Sequence, residues 1–71
     1  MYGTVTKFDY SKGYGFIKAD NGEYYFIHHS NLDGEYLEPG YYVFFKGFMN
    51  DRNDRNARNV IVVEADRRKR R

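Results

Sequence analysis

From Tyr14 to His29 the chain reads as two short runs with a residue period of two, separated by Asp20-Asn21-Gly22-Glu23. Alternation at that period puts every second side chain on one face of an extended strand, and Asn-Gly readily takes the positive φ angles of a type I′ turn. The segment is therefore predicted to be a hairpin, with strands at about Tyr14 to Lys18 and Tyr24 to His29. No apolar pattern at i, i+3, i+4, i+7 persists over helical length, so the other apolar runs are read as strands too: Tyr2 to Tyr10, Tyr41 to Phe48 and Val60 to Ala65. Ser11-Lys12-Gly13 turns the first strand into the second. Ser30 to Gly40 is a polar connection ending in a tight turn at Glu38-Pro39-Gly40. Asn50 to Asn59, with Ala57 as its one apolar residue, reads as a long, mobile hairpin loop. Its arginines, Arg52, Arg55 and Arg58, either stay solvated or touch phosphate.

Five strands in 71 residues predict a single small all-β barrel. A chain of this length buries only about 60–65% of the surface its unfolded form exposes. Without cysteine it has no disulfide and no thiolate metal ligand, so closure of the sheet must supply the stability, and a reducing, cytoplasmic setting is expected. No apolar stretch approaches the roughly 18 residues of a membrane span, and Met1-Tyr2-Gly3-Thr4 does not read as a secretory signal. Eight Tyr and six Phe against two Leu and three Ile are more aromatic surface than such a core can hold. Alternation assigns the core to Val5, Ile17, Ile27, Val43, Phe45 and Val60, which leaves several rings exposed, and contiguous exposed rings mark a binding surface.

Lys12-Gly13-Tyr14-Gly15-Phe16-Ile17 matches the first six positions of the RNP1 consensus of RNA-binding sheets, although Ala19 stands where that consensus has an aromatic. Tyr14 and Phe16 project from one face, Gly15 and Ile17 from the other. The glycines leave the rings unshielded and open to a nucleotide backbone, and the spacing of about 7 Å suits successive bases. If the hairpin pairs as expected, Tyr24, Phe26 and His28 join the same face while Tyr25 and Ile27 point inward. In an RNA-recognition motif the shorter aromatic segment precedes RNP1 and two helices are required. Here it follows, and helices are absent.

The order and spacing of these segments resemble a bacterial-type cold-shock domain. The likeness runs over nearly all of residues 2 to 65: Gly3-Thr4-Val5, Phe8, Lys12 to Ile17, Asp20-Asn21-Gly22, Phe26-Ile27-His28-His29-Ser30, Leu37-Glu38-Pro39-Gly40 and Asn59-Val60. It implies a five-stranded antiparallel OB-fold barrel spanning residues 1 to 66. It also implies binding of single-stranded RNA and DNA with low sequence selectivity, typically as an RNA chaperone in cold adaptation. The expected nucleic-acid-binding residues are Lys7, Phe8, Lys12, Tyr14, Phe16, Tyr24, Phe26, His28 and His29. Several positions depart from the family pattern. Lys7-Phe8-Asp9 replaces the usual Trp-Phe-Asn, exchanging the largest stacking platform for a cation. His29 replaces a common Phe, Tyr24 a polar residue and Arg58 a small one, and Tyr36 aligns loosely with a family aromatic.

Other functions find less support. His28 and His29 are the only histidines, and adjacent strand residues point to opposite faces, so neither a metal site nor an acid/base pair is expected. No Ser-His-Asp or paired-carboxylate spacing stands out. The chain is read as a non-enzyme without cofactor or metal, acting as a monomer. An SH3-like protein-interaction barrel would centre its groove on Trp, which is absent. The net charge of +2 is carried by Arg67 to Arg71; residues 1 to 66 hold seven basic and ten acidic side chains, a balance of −3. The tail is expected to be disordered and to speed encounter with phosphate, while the body must bind through local surface.

Overall fold

The computed structural model describes residues 1–52 and 54–65. The basic tail at 67–71 and the expectations attached to it lie outside the described residues. Five strands follow in order: β1 (Tyr2–Asp9), β2 (Tyr14–Ala19), β3 (Tyr24–His28), β4 (Tyr42–Met49) and β5 (Arg55–Glu64), with one 3-10 turn at His29–Asn31 between β3 and β4. They close into a barrel in the order β1-β2-β3-β5-β4. All neighbours are antiparallel except β3 and β5, which meet in parallel at Phe26 and Asn56. Closure removes free strand edges, giving the all-β, five-stranded barrel expected from the sequence.

The six residues assigned to the core by alternation are all buried, and Ala19, Leu32, Leu37 and Ala57 join them. Leu32 and Leu37 come from the segment between β3 and β4. That segment is therefore more than a polar connection, since it carries two apolar side chains into the core, and the backbone N–H of Leu37 donates to Tyr10 Oη at 2.7 Å.

The largest departure from expectation concerns β5, which begins at Arg55 rather than Val60. Half of the supposed Asn50–Asn59 loop is strand, pairing with β4 at Met49–Arg55, Phe48–Asn56, Gly47–Ala57 and Lys46–Arg58. Its polar composition concealed this. Ala57 packs in the core, Asn56 is only 8% exposed, and Arg55 and Arg58 face solvent. The register then shifts, so that Phe44 pairs with Ile61, and Asn59 in that interval has a φ of 53°. Asparagine tolerates this left-handed conformation better than most residues do.

The β2–β3 turn also differs in detail. Only Gly22, at φ 93°, has a positive φ there. Gly22 N–H donates to the Ala19 carbonyl at 2.8 Å, as does Ala19 N–H to that of Glu23. This is the pattern of a type I turn followed by a glycine bulge, not the type I′ turn.

Candidate nucleic-acid interface

Register places the candidate aromatic residues. Across β2 and β3 the pairs are Tyr14–His28, Phe16–Phe26 and Lys18–Tyr24, while Gly15–Ile27 and Ile17–Tyr25 turn inward. Paired residues in an antiparallel ladder share a face, so Tyr14, Phe16, Tyr24, Phe26 and His28 stand together outside the barrel. Tyr14, Phe16 and Phe26 form a closed triangle of rings, with centroids 6.5, 5.3 and 5.7 Å apart for Tyr14–Phe16, Tyr14–Phe26 and Phe16–Phe26. Each is half-buried: one side is held by its neighbours and the other faces solvent. Tyr24 is 52% exposed, with Lys18 Nζ 5.8 Å from its ring centroid.

β1 supplies the cation. The strand bulges between Val5 and Lys7, after which Lys7 pairs with Phe16 and Phe8 with Gly15. Lys7 thus lies beside the ring cluster and is exposed. Phe8 faces the other way and packs half-buried against the core, its ring 4.6 Å from that of Tyr10. Gly15 is needed for this approach. A Cβ there would come 2.1 Å from the Lys7 carbonyl oxygen and 2.7 Å from Phe8 Cα. Its missing side chain makes room for β1, not for a nucleotide backbone as the motif alone suggested.

The β1–β2 turn is built by Asp9. Its carboxylate accepts from Ser11 Oγ at 2.6 Å, from Ser11 N–H at 3.0 Å and from Lys12 N–H at 3.3 Å, and the Ser11 hydroxyl leads in holding its pKa below the ordinary carboxylate value. The acid that replaces a family asparagine therefore shapes the turn that presents Lys12. Gly13 follows at φ 79°, and a Cβ on it would meet the His29 ring at 2.7 Å.

The two histidines were expected on opposite faces, and the structure corrects this. Because β3 ends at His28 and His29 opens the 3-10 turn, the backbone leaves the strand between them and the rings lie 4.5 Å apart. His28 Nδ1 accepts from the Ser30 backbone N–H at 3.3 Å and sits 2.9 Å from Ser30 Oγ. Among the described residues no group of three or more His, Cys, Asp or Glu side chains is placed to hold a metal ion.

One cleft adjoins the ring cluster and a second lies at the β1–β2 turn. The first, of about 530 Å³, is lined by Phe16, Tyr24, Phe26, Arg52, Arg55 and Asn56, among others. The sequence left these arginines as alternatives to a solvated loop and gave no sign of Asn56. Pairing of β5 beside β3 brings Arg55 and Asn56 to the patch, and Arg52 reaches the same cleft from the turn before β5. Arg55 Nη2 is 2.6 Å from Glu23 Oε1, with both side chains nearly half exposed. Such a surface pair is worth only about 0–1 kcal/mol, so Arg55 is readily released to another anion. The second cleft, of about 470 Å³, includes Tyr10, Lys12, Gly13 and His29.

The remaining aromatic surface lies elsewhere. Tyr10 and Tyr36 stack with centroids 5.3 Å apart and planes at 7°, and Tyr2 stacks on Tyr42 at 5.8 Å with Phe44 edge-on at 4.9 Å. The surface rings thus gather mainly into three clusters, of which the Tyr14–Phe16–Phe26 cluster lies on β2 and β3 with Lys7 opposite Phe16 and the larger of the two clefts adjoining it.

No helix among the described residues is long and apolar enough to cross a membrane. A search of curated proteins finds no match. The family model described as the 'Cold-shock' DNA-binding domain matches residues 1–63, which takes in every strand except the last residue of β5. With that match and a closed five-stranded barrel carrying its aromatic residues on β2 and β3, the chain belongs to the cold-shock domain family, a family that binds single-stranded nucleic acid and is not one of enzymes.

Proposed function

We propose that this protein binds single-stranded RNA and DNA with low sequence selectivity by stacking bases on Tyr14, Phe16, Phe26 and His28, and that it acts as an RNA chaperone. The observation that carries the reading is the three-ring cluster, whose members have centroids 5.3–6.5 Å apart on one face of the barrel. Every base has a π-face, so stacking tolerates any sequence, and it is worth about 1–3 kcal/mol per base. Lys7 and Lys12 neutralise phosphates at the two sides of the cluster. Tyr24 and His29 extend it, and Phe8 contributes only at the margin because one side of its ring is packed against the core. Lys7 cannot stack as an indole does, so affinity depends more heavily on the three central rings.

Because each contact is modest, complexes dissociate readily, and strands are held apart without hydrolysis. The basic residues 67–71 add long-range attraction to a body of opposite charge. Anisotropy titrations with short poly-pyrimidine and poly-purine strands, as RNA and as DNA, against a duplex control test the reading. It requires tighter binding to single strands than to duplex, and equal or tighter duplex binding refutes it. Lowering of an RNA hairpin's melting temperature without ATP tests the chaperone role, which an unchanged melt excludes.

A further inference from the structure

The barrel's cross-strand register extends the outer face well past the ring cluster. Lys7 pairs with Phe16, Phe16 with Phe26, Phe26 with Asn56 and Asn56 with Phe48. This row runs through all five strands at about 4.8 Å per strand. Beyond Asn56, Phe48 is half-buried and carries the Arg58 guanidinium over its ring, with Cζ 5.0 Å from the centroid. Lys46 stands directly opposite Arg58 in the β4–β5 ladder, and both are exposed.

Two like charges facing each other across a ladder destabilise it. Among the described residues Arg55 pairs with Glu23 at 2.6 Å, and no described carboxylate is seen in an ion pair with Lys46 or Arg58. The adjacent pairs, Phe48–Asn56 on one side and Phe44–Ile61 on the other, contain no charge. A phosphate between Lys46 and Arg58 would relieve the repulsion. The guanidinium held over Phe48 offers a planar surface on which a base can stack.

Resting on the binding mode proposed above, we propose that Phe48, Arg58 and Lys46 form an additional nucleotide subsite on β4 and β5. A strand leaving Phe26 passes Asn56 and places its next base on the Arg58–Phe48 stack, with the adjoining phosphate between Arg58 and Lys46. The subsite lengthens the bound strand without adding base selectivity, because a stacked plane and a pair of cations read no base edge.

The test compares two oligothymidylates, one of about four nucleotides that covers the ring cluster alone and one of about eight that reaches β4, both within the range an OB fold accommodates. Wild-type protein, Arg58→Ala, Arg58→Lys and Phe48→Val are titrated with each, and folding is verified by far-ultraviolet circular dichroism. The short strand should bind all four proteins alike. The long strand should bind Arg58→Ala and Phe48→Val about fivefold or more weakly than wild type. Arg58→Ala should also flatten the salt dependence for the long strand by about 0.7 log units for each phosphate left without its cation, whereas Arg58→Lys should keep the wild-type slope while losing affinity. An unchanged ratio of long-strand to short-strand affinity in Arg58→Ala and Phe48→Val overturns the subsite. If Phe48→Val does not fold, the two exposed-site Arg58 variants decide alone. Failure of the wild type to bind even the short strand overturns the ring-cluster reading itself, a different result from loss of the length effect.

Discussion

Phe26→Ala offers the most direct probe of the ring cluster, because Phe26 contacts both other rings and lines the cleft toward β5. Two effects must be separated. Removing the ring deletes aromatic pairs with Tyr14 at 5.3 Å and Phe16 at 5.7 Å, and at about 0.5–1.5 kcal/mol per pair beyond the area they bury the fold loses at least about 1–3 kcal/mol. A domain whose stability lies within about 5–15 kcal/mol remains folded, though with a melting temperature lower by several degrees or more. Binding loses a stacking platform worth about 1–3 kcal/mol, a weakening of about 5-fold to 150-fold.

Titration by anisotropy of a labelled oligopyrimidine at low temperature, with folding verified by circular dichroism, isolates the second effect. Phe16→Ala should behave in the same way. Phe44→Ala is the control: its ring is 37% exposed but packs against Tyr2 in a different cluster, so affinity should stay within about twofold of wild type while the fold loses one aromatic pair. If Phe16→Ala and Phe26→Ala both fold and both bind at wild-type strength, the cluster is not the site. If Phe44→Ala weakens binding as much as they do, the effect is not specific to this face.

Further perturbations test separate links in the chain of cause. Lys7→Trp places an indole opposite Phe16 in the register and should tighten binding by about 1–3 kcal/mol, with a shallower salt dependence because one cation is removed; titrations over a range of salt concentrations measure both, and unchanged affinity would show that position 7 does not reach a base. Gly15→Ala forces a methyl to within 2.1 Å of the Lys7 carbonyl and should destabilise the fold by at least the roughly 1–3 kcal/mol of an overpacked core, seen as a lower urea midpoint. A neutral midpoint would mean that β1 shifts freely. Tyr36 donates its hydroxyl to Glu38 at 2.6 Å, a bond that raises its pKa to about 12. Its folded pKa lies above the unfolded value of about 10, so the stabilisation is fully present below pH 10 and disappears as pH rises through 12. Ultraviolet titration of tyrosinate should show a late step in the native protein that Glu38→Gln moves toward the ordinary range.

Much of this protein was legible in its sequence because alternation is a local property. Tyr14 and Phe16 share a face whatever their strand pairs with, and Phe26 and His28 join them because the three-residue turn at 20–22 pairs Ala19 with Glu23; a two-residue turn at Asn21-Gly22 would have slipped the register by one and turned them to the other face. The same parity sent Val5, Ile17, Ile27, Val43, Phe45 and Val60 inward, and all six are buried. Where the chain departs from regular strand geometry, parity lost its force. His28 and His29 come together because the strand ends between them, and the bulge before Lys7 selects which β1 side chain stands beside Phe16.

Closure of the barrel decided what no local pattern carried. Arg55 to Asn59 offers one apolar side chain in five residues and reads as loop, yet pairing with β4 and contact with β3 satisfy its backbone and make it strand. Hydrogen bonds between strands distant in sequence are indifferent to side-chain hydropathy, which is why composition could not reveal them. Those bonds set Asn56 beside Phe26 and Arg58 opposite Lys46, and with them the extent of the proposed binding face. Local alternation therefore determined which side chains share a face within each strand, while the turn geometry and the long-range register determined which strands' faces join into the patch and what neighbours it has.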